Sequence, residues 1–245
     1  MPLTPGTISI ISVTRSSVTL QATPPTGGVP PYSYTWYRSD QYGFTPGPDT
    51  VINPTTLTMV DTNLASNAIY YYVLQATDST SLIVLTTFYT QVGVLTNGPS
   101  ISGYVFPQVP QFKNFFVDDF PYGSDPRSQF PDYRILVAMQ MANTSFFNPI
   151  FFGTQSEFNN GFLLLSAHYM VMNIRRASQG MKGQFGFLQS SKSAGISVSI
   201  DIPERIKANP DFAWLCQTNY GAQYLHMVLP QLSGQMFPIH AMTNP

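Results

Sequence analysis

The sequence predicts a two-domain protein, an all-β sandwich followed by a mainly α-helical bundle domain with a small β hairpin. Residues 1–98 are rich in Thr, Ser, Val, Ile and Tyr, and Arg15 and Arg38 are their only basic residues. The residues after them hold all three histidines. The join, 96–110, is dense in Gly, Pro and Ser, which is typical of linkers. Hydrophobic spacing also changes there from that of strands to that of helices.

These observations predict a sandwich over 1–98, a linker or extended arm over 99–117 and a helical domain over 118–245. Within the first part, the segment YSYTWYRS alternates, so that Tyr34 and Trp36 share one face of a strand. AIYYYVLQATD predicts a second long strand. Turn residues recur at roughly ten-residue spacing, as expected for a small sandwich.

The helical domain is predicted from two long segments with apolar residues at helical spacing. FPDYRILVAMQMANTSF gives a helix from about Pro131 to Thr144, with proline in the first turn, where its missing N–H costs nothing. In the second segment, Thr154 and Glu157 fit a capping box. An apolar stripe follows, made of Phe158, Phe162, Leu165, Tyr169 and Met172.

The remaining segments are less regular. GMKGQFGFLQSSKSAGISVSIDI has the glycine spacing and alternation of a loop or irregular hairpin. The chain then resumes helical spacing, with breaks expected near Pro210 and at Gly221.

Two features indicate that partners cover much of the surface. Charged residues make up 9% of the chain, against about 25% in typical domains, and none follows Asp211. The second helix carries apolar residues outside its main stripe, among them Leu164 and Val171, and a helix that is apolar nearly all round is normally buried all round. We therefore expect neighbouring subunits to cover these additional apolar faces of the helix.

Composition excludes several classes of function. The net charge of −1 gives no basic field for nucleic acid, and no apolar run reaches the ~18 residues of a membrane span. No secretory signal is recognisable, so synthesis in the cytoplasm is expected. Cys216 is the only cysteine, and the histidines stand in no metal-binding motif, so neither a metal nor a cofactor is expected. The sequence predicts a protein that is not an enzyme.

The first domain resembles immunoglobulin-like and fibronectin type III-like modules. PYSYTWY looks like their strand C, with Trp36 as the core tryptophan, and AIYYYVLQATDS is similar to their strand F. The resemblance implies a corner tyrosine, either Tyr70 or Tyr72, and places Trp36 and Tyr72 in the core. The cysteine pair of such modules is missing, so the core is expected to depend on packing alone.

The second domain resembles the neck adaptor family of tailed bacteriophages, the head–tail connector and head-completion proteins. The resemblance covers about residues 118–235. Its segments are, in order, FPDYRILVAMQMA, LLLSAHYMVMN with Ala167 and His168, GISVSID, and FAWLCQTNYGAQYLHMV with Tyr220 and Gly221. The N-terminal sandwich and the aromatic loop SFFNPIFFG depart from the family pattern.

This resemblance implies a structural protein of the virion neck. It would form a ring, commonly a dodecamer, beneath the portal protein and above the tail terminator or stopper protein, and would meet DNA only as it passes through the channel. The segment 99–117 would be an arm that crosses a neighbour or the domain join. The residues expected at the oligomer or portal interface are Leu164, His168, Val171, Trp214, Tyr220, Met236 and Phe237.

Two other interpretations stay open at this level. The protein could be a tail, baseplate or capsid-decoration protein whose immunoglobulin-like domain contacts host glycans. The aromatic residues considered for stacking on sugars are Trp36, Tyr37, Tyr42 and Phe44. It could also be a small hydrolase that uses Cys216 or His168, although no nucleophile, base and orienting group can be assembled from the motifs.

Overall fold

The chain divides into two compact units, a first unit, Met1–Phe146, and a second unit, Phe147–Pro245. The boundary lies after the first predicted long helix instead of within the predicted linker. The computed structural model of the chain describes residues 2–52, 55–80, 83–85, 92–96, 104–120, 122, 131–144, 147–179, 191–193, 196–198 and 209–236.

The first unit contains a sandwich of two antiparallel sheets. Its strands are β1 (Ile8–Val13), β2 (Ser17–Ala22), β3 (Ser33–Ser39), β4 (Val51–Ile52), β5 (Thr58–Thr62), β6 (Ile69–Thr77), β7 (Ile83–Leu85) and β8 (Val92–Leu95). One sheet has the order β1-β2-β5 and the other the order β4-β3-β6-β7, with β8 also paired to β6. This arrangement is that of a fibronectin type III-like sandwich, in which β3 and β6 are strands C and F.

Trp36 on β3 and Tyr72 on β6 lie at the centre of the sandwich core, and neither is exposed. The Trp36 indole N–H donates to the carbonyl oxygen of Thr56 at 2.8 Å, which satisfies its only polar atom. The corner position belongs to Tyr70, whose hydroxyl accepts the N–H of Ala65, five residues upstream, at 3.0 Å. The two candidate tyrosines therefore have different roles.

A largely buried ion pair joins the two sheets. Arg38 on β3 donates to both carboxylate oxygens of Asp61 on β5, at 2.8 and 2.9 Å, and the Tyr72 hydroxyl donates to the same carboxylate at 2.9 Å. Burial, followed by the charge of Asp61, raises the pKa of Tyr72 far above its usual range. Because a lone buried carboxylate is costly, these contacts favour one alignment of β5 against β3 and β6.

Helix α1 (Val109–Phe115) lies within the segment that was predicted to be a linker or extended arm. The side chain of Gln108, directly before it, is buried against β8: it accepts the N–H of Leu95 at 3.2 Å and donates to the Leu95 carbonyl at 3.0 Å. Phe112 and Phe116 are buried as well. The arm prediction is corrected for this part of the segment, because buried contacts hold it on the sandwich.

Helix α2 (Asp132–Thr144) matches the first predicted helix but belongs to the first unit, not to a separate helical domain. It packs closely on β8, since a Cβ added at Gly93 would overlap Leu136 and lie 3.0 Å from the Tyr71 ring. The side-chain amide of Gln140 also donates to the carbonyl oxygen of Asn67 at 2.8 Å. The sandwich and α2 therefore share one core.

In its described residues, the second unit consists of helices and one short hairpin. Its elements are α3 (Gln155–Gln179), β9 (Ser191–Ser193), β10 (Ile196–Val198), α4 (Pro210–Leu215) and α5 (Asn219–Met236). The capping box forms as predicted: the N–H of Glu157 donates to the Thr154 hydroxyl, and the Thr154 N–H donates to the Glu157 carboxylate, both at 3.2 Å. The predicted break at Gly221 is wrong, because this glycine lies in the first turn of α5 and the break falls at 216–218.

Helix α3 is buried on every side over Gly161–Met170. The predicted apolar stripe is buried, and so are Leu163, Leu164 and Met170 outside it. The sequence led us to expect neighbouring subunits to cover these extra faces. In this stretch, the chain already covers them without a second copy.

We expect Trp36→Ala to lower the free energy of unfolding of the sandwich by ~3–5 kcal/mol, because it removes the largest fully buried side chain and leaves a cavity. Urea unfolding followed by circular dichroism measures the loss. Val60→Ala is the control, since Val60 is 57% exposed on β5 and its truncation should change stability by less than about 0.5 kcal/mol. Equal losses for the two variants would contradict the assignment of the core.

Candidate functional site

His168 and Thr218, 50 residues apart in sequence, meet in the second unit. His168 lies in the middle of α3, and Thr218 directly precedes α5. The imidazole Nδ1 is 2.7 Å from the Thr218 hydroxyl oxygen, and both residues are buried. We call His168, Thr218, Trp214 and Gly221 the histidine cluster.

Thr218 is also the N-cap of α5. Its hydroxyl oxygen accepts the N–H of Gly221, the third residue of the helix, at 2.9 Å. Such a contact satisfies one of the amide groups that a helix start leaves without a partner. The imidazole of His168 therefore bonds to the residue that begins α5, so a polar contact fixes the start of α5 against the middle of α3.

Aromatic rings enclose the imidazole. The rings of His168 and Trp214 are 4.1 Å apart between centroids and stand at 83° to each other, and the ring of Tyr169 follows at 5.9 Å. The second ring nitrogen of His168, Nε2, is buried and has no hydrogen-bond partner among the described residues. His168 is not exposed at all, so its two nitrogens face protein atoms and not solvent.

Gly221 is required by the closeness of this packing. A Cβ at this position would overlap the carbonyl oxygen of Leu215 and lie 2.6 Å from Nδ1 of His168. Glycine normally costs a helix about 1 kcal/mol relative to alanine. The absence of a side chain at Gly221 is what allows the start of α5 to lie against the imidazole.

Burial, followed by the nearby charges of Arg175 and Arg176, lowers the pKa of His168 to about 3. Arg175 is held near by its Nη1, which donates to the carbonyl oxygen of Gln217 at 2.7 Å. The imidazole is therefore neutral at pH 7. This neutral, fully buried ring is a hydrogen-bonding partner for Thr218 between α3 and α5.

The lowered pKa of His168 predicts a specific dependence of stability on pH. An unfolded histidine, with a pKa near 6.5, binds a proton that the folded one resists. The stabilisation is therefore complete above about pH 6.5 and is lost as the pH falls towards the folded pKa of about 3. We expect the difference in unfolding free energy between wild type and His168→Gln to fall by up to about 1.4 kcal/mol per pH unit in this window. A difference that is constant between pH 7 and pH 4 would contradict this.

The predicted interface residues have different environments. Leu164 is 6% exposed and His168 is fully buried, so both are interior positions of the single chain and not open interface positions. Val171, Trp214 and Tyr220 are half-buried and keep some exposed surface. The side chain of Met236 and the whole of Phe237 lie outside the described residues.

Sequence reasoning missed Thr218 as a member of the histidine cluster, and it missed the contact between Arg175 and Gln217 beside it. A local signal existed for Thr218, because threonine is one of the residues favoured at the N-cap position directly before a helix. No local signal connects Gln217 with Arg175, since their contact depends on how α3 and α5 pack.

The side chains considered for the two rival interpretations are largely engaged in packing within the described part of the chain. Burial raises the pKa of the Cys216 thiol, which disfavours the reactive thiolate. Trp36 and Tyr37 are buried, and the half-buried Tyr42 stacks on Tyr133 with centroids 4.6 Å apart, so none of these three rings is fully exposed.

Within the described ranges, no three His, Cys, Asp or Glu residues lie close enough together to hold a metal ion. None of the helices in those ranges combines the length and apolarity needed to cross a membrane.

No protein-family model and no curated protein sequence matches the chain. Solved structures do match part of it. A fibronectin type III domain of human fibronectin type III domain containing protein 3 is 20% identical with a TM-score of 0.32, covering 40% of this chain and 92% of that one. A fibronectin type III domain from human KIAA0970 protein is 16% identical with a TM-score of 0.30, covering 51% and 85%.

A third match is the family 28 exopolygalacturonase of Yersinia enterocolitica, at 12% identity and a TM-score of 0.27, covering 46% of this chain and 22% of that one. TM-scores this low carry no argument about function. The fibronectin type III-like character of the sandwich follows from its strand order and from the position of Trp36 on β3.

Proposed function

We propose that the protein is a neck adaptor of a tailed bacteriophage, a structural virion protein that forms a ring between the portal and the tail. The histidine cluster carries this proposal. The motifs Ala167-His168 and Tyr220-Gly221, on which the resemblance to the adaptor family depends, are distant in sequence. They meet through Thr218, and Gly221 leaves the space that His168 needs. Chance likenesses in two segments give no reason for the segments to pack together.

The composition supports an assembled protein over a freely soluble one. Charged residues are 9% of the chain, and few charges are left to keep a large exposed surface hydrated. Exposed apolar side chains are found in both units, including Val117 at 67% and Ile150 at 66%. A ring in which every copy contacts the next through two different surfaces would cover such positions.

Mixing the purified chain with the portal protein encoded near it tests the proposal directly. Negative-stain electron microscopy should show a new ring capping one end of the portal, and the number of lobes gives the copy number. Portal particles alone and portal mixed with an unrelated fibronectin type III domain are the controls. Unchanged portal particles at micromolar concentrations of the chain would overturn the proposal and favour a tail or surface role.

A pair of substitutions on one helix face separates assembly from folding. Val171 follows Leu164 by two helical turns and is half-buried, whereas Leu164 is 6% exposed. We expect Val171→Glu to abolish portal capping while the melting temperature changes by less than about 4 °C. Leu164→Glu should instead lower the stability by ~3 kcal/mol or more, because it buries a charge without a partner. Normal portal capping by Val171→Glu would exclude this face as the interface.

A further inference from the structure

A groove of about 470 Å³ runs along one edge of the sandwich. One wall is the whole of strand β1, and the other is the segment Val105–Gln111, which leads into α1. The lining combines apolar side chains with polar groups, among them Ser9, Ser12 and Gln111. Its one charged residue, Asp132, is paired with Lys113 at 2.6 Å, so the groove presents no free charge.

Strand β1 is an edge strand of its sheet, and β8 of the other sheet approaches part of it. Strand β1 is the end strand in the order β1-β2-β5, and within the described part of the chain Ile8–Ser12 are paired only with β2. In an antiparallel strand, alternate residues direct their N–H and C=O groups away from the partner strand. This edge can therefore accept one further strand, and natural proteins cover such edges because they otherwise associate.

Two apolar residues mark the mouth of this groove. Ile11, at the bulge of β1, is 57% exposed, and Val105 on the opposite wall is 60% exposed. A peptide lying between them would bury both side chains while its backbone pairs with β1. The groove therefore favours an extended, uncharged and apolar segment.

This chain contains such a segment directly after α5. Residues 237–245, FPIHAMTNP, carry no charged side chain. Phe237, Ile239 and Ala241 fall on one face of an extended strand, and Pro238, which cannot donate a backbone hydrogen bond, falls on the other. Nine residues reach about 30 Å when extended, enough to follow a six-residue strand of about 20 Å.

We propose that residues 237–245 of a second copy of this chain add to β1 as an extra strand and fill this groove. The contact is heterologous, because the tail segment of one copy meets the sandwich of the next, and repeated contacts of this kind form a ring if the geometry closes. This contact rests on the ring proposed above and names one of its copy-to-copy interfaces. Its test uses this chain alone, so its failure leaves portal binding untouched.

Two full-length variants test the contact by complementation. Ile11→Lys places a charge in the groove and leaves the tail segment intact, whereas Ile239→Asp places a charge in the tail segment and leaves the groove intact. Sedimentation velocity over a concentration series should show self-association of the wild type. Each variant alone should associate at least about tenfold more weakly, because the contact would bury an unpaired charge. An equimolar mixture of the two should regain a one-to-one complex, since each variant keeps one intact partner surface.

Val60→Lys is the matched control. Val60 is as exposed as Ile11 but lies on β5, at the other edge of the same sheet and outside the groove, so its variant should associate like the wild type. Val105→Lys provides a second groove variant if Ile11→Lys fails to give native circular dichroism. A wild type that stays monomeric at every concentration, or a mixture that forms no complex, would overturn the proposal.

Discussion

We expect Gly221→Ala to unfold or strongly destabilise the second unit, although alanine is the better helix former. The gain in helix propensity is about 1 kcal/mol. Against it stands a methyl group that would overlap the carbonyl oxygen of Leu215 and approach Nδ1 of His168 to 2.6 Å. Neither neighbour can yield easily, because one is backbone and the other is a buried ring bonded to Thr218. The steric overlap outweighs the gain in helix propensity, and we expect the free energy of unfolding to fall by about 3 kcal/mol or more.

Thermal unfolding of the full chain, followed by the near-ultraviolet signal to which Trp214 contributes, measures this effect. Gly153→Ala is the matched control in the same unit. A Cβ at Gly153 would meet only the far end of the Glu157 side chain, at 3.4 Å. This control should change the melting temperature little. If Gly221→Ala raised the melting temperature as propensity alone predicts, the close approach of α5 to α3 would be wrong, and with it the packing of the two family motifs.

The second large effect concerns the limits of the first folding unit. A fragment of residues 1–98 should be unstable or aggregate, whereas a fragment of residues 1–146 should fold cooperatively. The shorter fragment ends before Gln108 and α2, so it leaves Gly93 and the Tyr71 ring without the Leu136 side chain that covers them. Leu136 is fully buried, and losing such a side chain alone costs ~2–5 kcal/mol.

Urea unfolding and proton–nitrogen NMR spectra distinguish the two fragments. Within the fragment 1–146, Leu136→Ala should lose ~2–5 kcal/mol. Its neighbour Val137, which is 39% exposed, should lose less than about 1 kcal/mol on the same truncation. A well-dispersed spectrum and an unchanged unfolding free energy for residues 1–98 would show that the sandwich is independent of its helices.

Signals that lie within one element were predictable from the sequence. Thr154 and Glu157 fit a capping box, and their hydrogen bonds form. The alternation around Trp36 predicts a strand, and β3 contains it. Each of these features depends on residues a few positions apart, where backbone geometry leaves few alternatives.

Contacts between distant elements were not predictable in the same way. The Gly- and Pro-rich composition around residues 96–110 is typical of a linker, but Gln108 is anchored on Leu95 by two hydrogen bonds. Nothing in the local pattern of α2 reveals that Leu136 packs on Gly93, because the fit depends on a missing side chain in another element. Composition therefore suggested a domain boundary in a segment that tertiary contacts hold against the sandwich.

In the candidate site too, local signals were predictable and contacts between distant elements were not. The sequence identified His168 and the Tyr220-Gly221 pair through resemblance, and it assigned His168 to an interface. The spacing of apolar residues shows which faces of a helix are apolar. It does not show whether other parts of the same chain cover those faces. In α3 those partners suffice over Gly161–Met170, so His168 is an interior residue whose neutral ring positions the start of α5.

The dependence of the sandwich on α2 also sets an order of events during protein synthesis. Strand β8 ends at Leu95, and α2 ends at Thr144, 49 residues later. At about 5–20 residues per second, a ribosome needs roughly 2–10 s to make that stretch. Between the emergence of β8 from the ribosome and that of α2, the nascent sandwich has all its strands but lacks the side chain that covers Tyr71 and Gly93. The chain therefore passes through a stage in which the ribosome and chaperones, not its own helix, must cover these residues.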